Sequence, residues 1–447
     1  MKKPGILTLN LIVICLLSLV GLKAGAASVI TTDSLAIFME GLSSNEKFMG
    51  QVEVMKDGKT LYFYGTGYTD VNAQRNTTAN SKYMIGSVSK TITASMVLKA
   101  VEEGKIKLEG KLSEFFPEIK HADQITIEQL LNHHSGIHNL TQSPDYTAFA
   151  QGKKTKEELI DFIVKGGSDF LPGEKAAYSN SNYILLSYIL EKVYNLGFDQ
   201  IFQKKIVEPL GLKFSQFGML KSATIQPTRS YKYEAEWIPM PTTDSSIPMG
   251  AGGIVMNAHD LATFITALFD GKIISMSSLE KMTTQKDGYG LGIFKTAISG
   301  KTAYTHTGLI DGFNAAFYYL PEERLAYVLL SNAENYNLDK INKTFLNISL
   351  GLPIQIPSIN QYKVEPKDMA SYTGIYTSEI NPLIITVSEK NNKLLAQPKG
   401  QQVYSMDATE LHTFTHEKTG VTLLFDPKAK TMLLKQGNFS FSFTKKE

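Results

Sequence analysis

The chain of 447 residues contains one cysteine, Cys15, and one tryptophan. A lone thiol so near the start excludes a disulfide framework, cysteine-ligated zinc and a thiolate nucleophile from the rest of the chain. Charge of one sign is also missing. The formal charge is +2 and no Lys/Arg cluster is long enough to make a phosphate-binding face, so nucleic acid is not an expected partner. Neither a Walker A sequence nor a G-x-G-x-x-G fingerprint occurs, and no cofactor is expected. His133, His134 and His138 lack the H-E-x-x-H pattern and a nearby cysteine, so they are read as structural residues and no metal is expected. No 20–50-residue repeat is present.

Long apolar runs are scarce too. The one that occurs, Ile6 to Leu22, follows Lys2-Lys3 and precedes Ala24-Gly25-Ala26, which is the layout of a cleavable signal peptide over residues 1–26. Its removal takes Lys2, Lys3, Lys23 and Cys15, and the formal charge of +2 becomes −1. The expected location is periplasmic or secreted, with membrane association only if this segment is retained.

What is present is a hydrophobic content of 43%, enough for a sizeable core. Val52–Val54 and Thr60–Tyr64 flank Asp57-Gly58 and predict a hairpin. Apolar periodicity predicts helices over Val88–Glu103, Glu157–Val164, Asn182–Tyr194 and Asp260–Leu268, and strands over Ala315–Leu320 and Leu325–Ser331. Early strands, a helical middle and late strands predict an α+β domain over 27–357, with an antiparallel sheet built from both ends and flanked by helices. After Leu352-Pro-Ile-Gln-Ile-Pro357, which reads as a linker, short alternating strands predict a small all-β domain over 358–447, a barrel or a sandwich.

Gly86-Ser87-Val88-Ser89-Lys90 carries the candidate chemistry. A serine entering a helix N-terminus meets backbone N–H groups and the positive dipole end, and Lys90 lies one turn along the same face. Burial would lower the lysine pKa and free an amine to act as base. S-x-x-K also occurs at Ser44/Lys47, Ser278/Lys281 and Ser442/Lys445, so order along the chain must discriminate. Tyr178-Ser179-Asn180 precedes a predicted helix. A phenol beside a lysine ammonium is expected to have its pKa lowered, and Asn180 can hold a substrate amide or the lysine. His306-Thr307-Gly308 lies near a strand end, where His306 could donate to the tyrosine oxygen or to a substrate carboxylate.

With S-x-x-K, Y-x-N and [KH]-[ST]-G in this order, the sequence resembles the serine β-lactamase and penicillin-binding-protein-like hydrolases, in the branch of class C β-lactamases and D-alanyl-D-alanine carboxypeptidases. Supporting matches are Ile125–Gly136, Ala251-Gly-Gly253, Tyr289–Gly292 and Leu330-Ser-Asn332, and the resemblance spans roughly residues 35–350. His134-Ser-Gly136 and Lys418-Thr-Gly420 also fit the third motif, but they fall out of order. The resemblance implies a β-lactamase/transpeptidase-like fold with Ser87 as acylated nucleophile and Lys90 and Tyr178 sharing proton transfer. Asn180 would hold substrate, His306-Thr307 would contact its carboxylate or the Tyr178 oxygen, and Gly308 would let the backbone approach. The N–H groups of Ser87 and Leu309 would form the oxyanion hole. Such enzymes cleave small D-residue peptides, β-lactams or esters. Histidine at 306, where the β-lactamases usually carry lysine, points toward peptidase or esterase members. The alternative is a catalytically silent penicillin-recognising scaffold. The terminal domain resembles the lipocalin-like domains appended to such hydrolases.

Overall fold

The protein, described here by a computed structural model, is defined over residues 32–218 and 227–446, apart from 354, 358, 360 and 361. The expected signal segment lies outside the described residues. Among the described residues no helix is long and apolar enough to cross a membrane.

An antiparallel sheet organises the larger domain. β1 (Phe48–Lys56) and β2 (Lys59–Thr66) form the hairpin through Asp57-Gly58. The late strands are β3 (Phe294–Ile298), β4 (Lys301–Ile310), β5 (Phe313–Leu320) and β6 (Leu325–Glu334). Their spatial order is β3-β4-β5-β6-β1-β2. β1 pairs with β6 from Phe48·Glu334 to Lys56·Leu325, so strands from the two ends of the domain meet inside one sheet.

Helices α1 (Thr32–Ser44), α2 (Ser89–Glu102), α3 (Asn180–Tyr194), α4 (Ala258–Phe269) and α5 (Leu338–Ser349) cover its faces. Side chains alternate along β6 as the pleat requires. Leu325, Tyr327 and Leu329 join a core with Leu35, Phe38 and Phe345. Ala326, Val328 and Leu330 join the larger core that holds α2, α3 and α4.

α2 departs from the expected one-sided helix, because every residue from Ser89 to Leu98 is buried. Its polar positions are satisfied inside the protein. Thr91 Oγ1 donates to the Gly292 carbonyl at 2.7 Å, Thr93 Oγ1 to Gly250 at 2.8 Å and Ser95 Oγ to Thr91 at 2.8 Å. Short hydroxyls that bond to backbone can line a buried helix without an unpaired donor.

The C-terminal strands β7 (Gly374–Thr377), β8 (Ile384–Lys390), β9 (Lys393–Pro398), β10 (Tyr404–Glu410), β11 (Thr413–His416), β12 (Val421–Asp426), β13 (Thr431–Gln436) and β14 (Phe439–Lys445) close into a barrel, not a sandwich. Pairing of Tyr376 with Lys445 joins the first strand to the last, and closure removes the exposed edges. Ion pairs tie the barrel to the larger domain: Lys340–Glu417, Lys418–Glu334, Lys390–Glu236 and Lys47–Asp407. The last is buried on both sides. Burial pushes the Lys47 amine down, and Asp407 opposes that shift.

Removing one partner of a buried pair leaves the other charge uncompensated, a loss of roughly 3–5 kcal/mol. Asp407→Ala is therefore expected to destabilise the chain on that scale, and Lys47→Met with Asp407→Leu to recover most of it. Denaturation curves for the variants check this; a double variant as unstable as Asp407→Ala contradicts it.

Candidate active site

Ser87 sits in a 3₁₀ turn, Gly86–Val88, that runs directly into α2. The turn is pinned by the Ile85 N–H, which donates to the Ile254 carbonyl at 3.0 Å. Lys90 lies fully buried in the first turn of α2. Its Nζ is 3.0 Å from Ser87 Oγ, 2.8 Å from Asn180 Oδ1 and 2.7 Å from the Ala251 carbonyl oxygen.

The orientation of Asn180 follows from its neighbours. Asn139 Oδ1 accepts the Asn180 backbone N–H at 3.0 Å, so it also faces the Asn180 amide nitrogen, at 3.2 Å. Thr141 Oγ1 takes that nitrogen's other side at 3.3 Å. The Asn180 oxygen is thereby turned to the lysine.

No carboxylate enters this set. Burial alone pushes the Lys90 amine well below its ordinary value. A neutral amine has two N–H groups and one lone pair. Asn180 Oδ1 and the Ala251 carbonyl take the two N–H groups, because both accept here. The lone pair is left facing the Ser87 hydroxyl, the arrangement a general base needs.

Tyr178 occupies the extended segment before α3, with its ring centroid 4.9 Å from Lys90 Nζ. The sequence led us to expect a lowered phenol pKa, and the structure reverses this. Burial raises it, and hydrogen bonding with Ser87 only partly offsets the rise. The expectation assumed a charged lysine, whereas a site that strips water from both groups favours the neutral amine and neutral phenol.

His306 needs a similar correction. Its ring lies 6.5 Å from the Tyr178 ring centroid and 5.1 Å from that of Phe294. Burial, with Lys90 adding to it, pushes its pKa down to about 3. Nδ1 is 2.6 Å from the Thr307 carbonyl oxygen, which can only accept, so Nδ1 carries the single proton. Nε2 is therefore an acceptor, not the expected donor. Thr307 is exposed on β4 and stands outside the residues that line the cleft.

The β4–β5 register aims the Leu309 N–H. Ile310 and Phe313 flank the two-residue turn Asp311-Gly312, and Leu309 pairs with Asn314. The pair flanking such a turn exchanges hydrogen bonds, so the next pair does not, and the Leu309 N–H points away from β5. β3 stops pairing at Phe294·Thr305. The N–H thus opens toward the 3₁₀ turn. A Cβ on Gly308 would lie 2.1 Å from the Ile85 oxygen and 2.9 Å from Ser87 N; one on Gly86 would lie 2.9 Å from Leu309 N. Only glycines permit this approach, which sets the Ser87 and Leu309 N–H groups side by side.

The adjoining cleft has a volume of about 120 Å³ and is lined by Leu140, Tyr146, Ile184, Pro248, Leu309 and Ile310 among others, none of them charged. Residues that sequence reasoning missed are Asn139, Thr141, the Ala251 carbonyl and His133. The His133 ring packs at a tilt of 30° against Tyr178 with centroids 4.5 Å apart, and its Nδ1 accepts the Ser179 N–H at 3.1 Å. The Ile125–Gly136 and Ala251–Gly253 matches were the available signals. The two out-of-order motifs are engaged elsewhere. His134 bridges Asn132 and Asp287, and in the barrel Lys418 pairs with Glu334.

Gly308→Ala is expected to leave the far-UV dichroism spectrum unchanged while displacing one N–H donor. Acylation by an activated ester should slow about 10²–10³-fold, the usual loss for one oxyanion donor. An unchanged burst rate would contradict the assignment.

Comparison with known proteins agrees with this arrangement. The Beta-lactamase family model matches residues 45–350. The chain is 29% identical over 291 residues to a protein named as a penicillin-binding protein in Bacillus subtilis strain 168, covering 64% of this chain and 71% of that one. It is 29% identical over 233 residues to the teichoic acid D-alanine hydrolase of Staphylococcus aureus strain MRSA252, covering 52% and 57%. The octameric penicillin-binding protein homologue from Pyrococcus abyssi superposes with a TM-score of 0.64 at 22% identity, over 92% of this chain and 98% of that one. The matched region holds the sheet, helices α2 to α5 and every element that meets at Ser87, and the chain belongs to the Beta-lactamase family.

Proposed function

We infer that the protein is an exported serine hydrolase that cleaves a D-aminoacyl ester or amide through an acyl-enzyme on Ser87. The observation that carries this reading is the Lys90 amine, buried without a carboxylate and 3.0 Å from the Ser87 oxygen. The Ser87 oxygen attacks the carbonyl carbon as its proton passes to the Lys90 lone pair. The N–H groups of Ser87 and Leu309 take the oxyanion. Collapse of the tetrahedral species breaks the bond to the leaving group, which receives the proton from Lys90 by way of the Tyr178 hydroxyl. Water then repeats the steps in reverse and frees the acid. Asn180 keeps the lysine aimed and faces the substrate, while the uncharged His306 accepts at its Nε2 near Tyr178.

The choice of substrate follows from charge. No charged residue lines the cleft, and His306 carries no charge near neutral pH. A free carboxylate on the substrate gains little here, which favours esters and amides of D-amino acids over β-lactams. The relative named as a teichoic acid D-alanine hydrolase supports that preference. The signal-like segment 1–26 supports action outside the cytoplasm.

A fluorophosphonate is expected to form one adduct, lost in Ser87→Ala; labelling that survives this change overturns the assignment. Tyr178→Phe is expected to slow turnover of a p-nitrophenyl D-alanyl ester about 10²–10⁴-fold. Because burial lowers the Lys90 pKa, kcat/KM is expected to fall only on acidification, with a pKa well below the ordinary lysine value. His306, at about 3, should add no inflection above pH 4. A profile that rises with a pKa near 10.5 would contradict the neutral lysine.

A further inference from the structure

The bore of the C-terminal barrel is filled at one end and open at the other. At the filled end Tyr372, Tyr376, Phe414 and Phe425 pack ring against ring and are buried. Toward the other end Ala396, Val421, Leu423 and Leu434, together with Tyr404 and Met406, leave a cavity of about 260 Å³ between them. Eight strands enclose a bore that side chains can fill or that can hold one small ligand. This chain does the first at one end and leaves room for the second at the other.

The chemistry of the lining narrows the occupant. No Asp, Glu, Lys or Arg contributes to it. His416 Nδ1 is engaged with Thr419 Oγ1 at 2.7 Å, and burial keeps this ring uncharged at neutral pH. Amides of Asn381 and Gln436 stand at the mouth. The rim is apolar and exposed: Phe439 is 69% accessible, and Ile380, next to Asn381, is 76% accessible. An apolar cavity of roughly 150 Å³ accepts benzene, so this one is suited to about ten carbon atoms.

We propose that the barrel mouth binds an uncharged apolar chain or ring system of about ten carbons, which enters between Ile380 and Phe439 and leaves its polar end among the mouth amides. The source is a free amphiphile or a lipid acyl chain, and both present the same body to the cavity.

The full chain is titrated with N-phenyl-1-naphthylamine, an uncharged fluorophore. A saturable, single-site enhancement displaced by 1-decanol is expected. Ala396→Phe, which fills the bore, should weaken it at least tenfold while leaving fluorophosphonate labelling of Ser87 intact; Leu434→Phe serves if that variant does not fold. Cosedimentation with phosphatidylcholine vesicles that is lost in Phe439→Ser assigns the occupant to lipid. Decanol binding without cosedimentation assigns it to a free amphiphile. A non-saturable enhancement, or one undiminished in both filled-bore variants, overturns the proposal.

Discussion

Taking the Lys90 amine out of water with no carboxylate beside it is the constraint on which the site depends. A buried ammonium would carry an effective desolvation penalty of several kcal/mol. Burial instead drives the pKa of the amine well down, which favours the free base over the cation. Two acceptors then fix where its lone pair points. Asn180 Oδ1 is held in place by Asn139, and the Ala251 carbonyl belongs to the Met249–Gly252 turn packed on α2. Water must also be kept away, which the wholly buried stretch Ser89–Leu98 of α2 and the packed rings of Tyr178 and His133 accomplish. The neutrality of Tyr178 and His306 follows from the same dryness, since burial disfavours each charged form.

The sheet supplies what the helices cannot. A strand bonded on both sides has no spare N–H to offer a substrate. β4 has one because β3 ends early and the tight turn after Ile310 fixes which residues exchange hydrogen bonds with β5. Shifting that register by one residue would turn the Leu309 N–H into the ladder and His306 away from Tyr178. The paired glycines, Gly86 and Gly308, then allow the strand and the 3₁₀ turn to touch.

Much of this was legible in the sequence wherever local rules decide. Asp57-Gly58 between alternating strands gave the first hairpin, and the period of apolar residues placed α3, α4, β5 and β6 within a few residues. The ordered motifs named Ser87, Lys90, Tyr178, Asn180 and His306, which the fold brings together. Tertiary context decided the rest. β6 continues past Ser331 because Ser331 Oγ donates to the Met49 carbonyl and Asn332 Nδ2 to those of Tyr68 and Arg229, so the side-chain donors of two polar residues are paired inside a buried strand. α2 looked half-exposed because its hydroxyls are polar in sequence yet spent on backbone carbonyls. Asn139 and Thr141 lie about forty residues from Asn180, and no local pattern ties them to it. The lowered Lys90 pKa was expected, but the Tyr178 phenol and the donor role of His306 were misjudged for one reason: the sequence shows which groups meet, but not how dry their meeting place is. Barrel closure depended on the pairing of β7 with β14, a contact between the two ends of that domain.

The central claim is that Lys90 carries no charge when the enzyme is at rest, and nitrogen NMR of the lysine side chains tests it most directly. In protein labelled with ¹⁵N at lysine Nζ, the resonance missing from Lys90→Met identifies the residue. The account requires that signal to have the shift of a neutral amine at pH 7 and to become an ammonium only on acidification. An ammonium signal at pH 7 that titrates near the ordinary lysine value would contradict it.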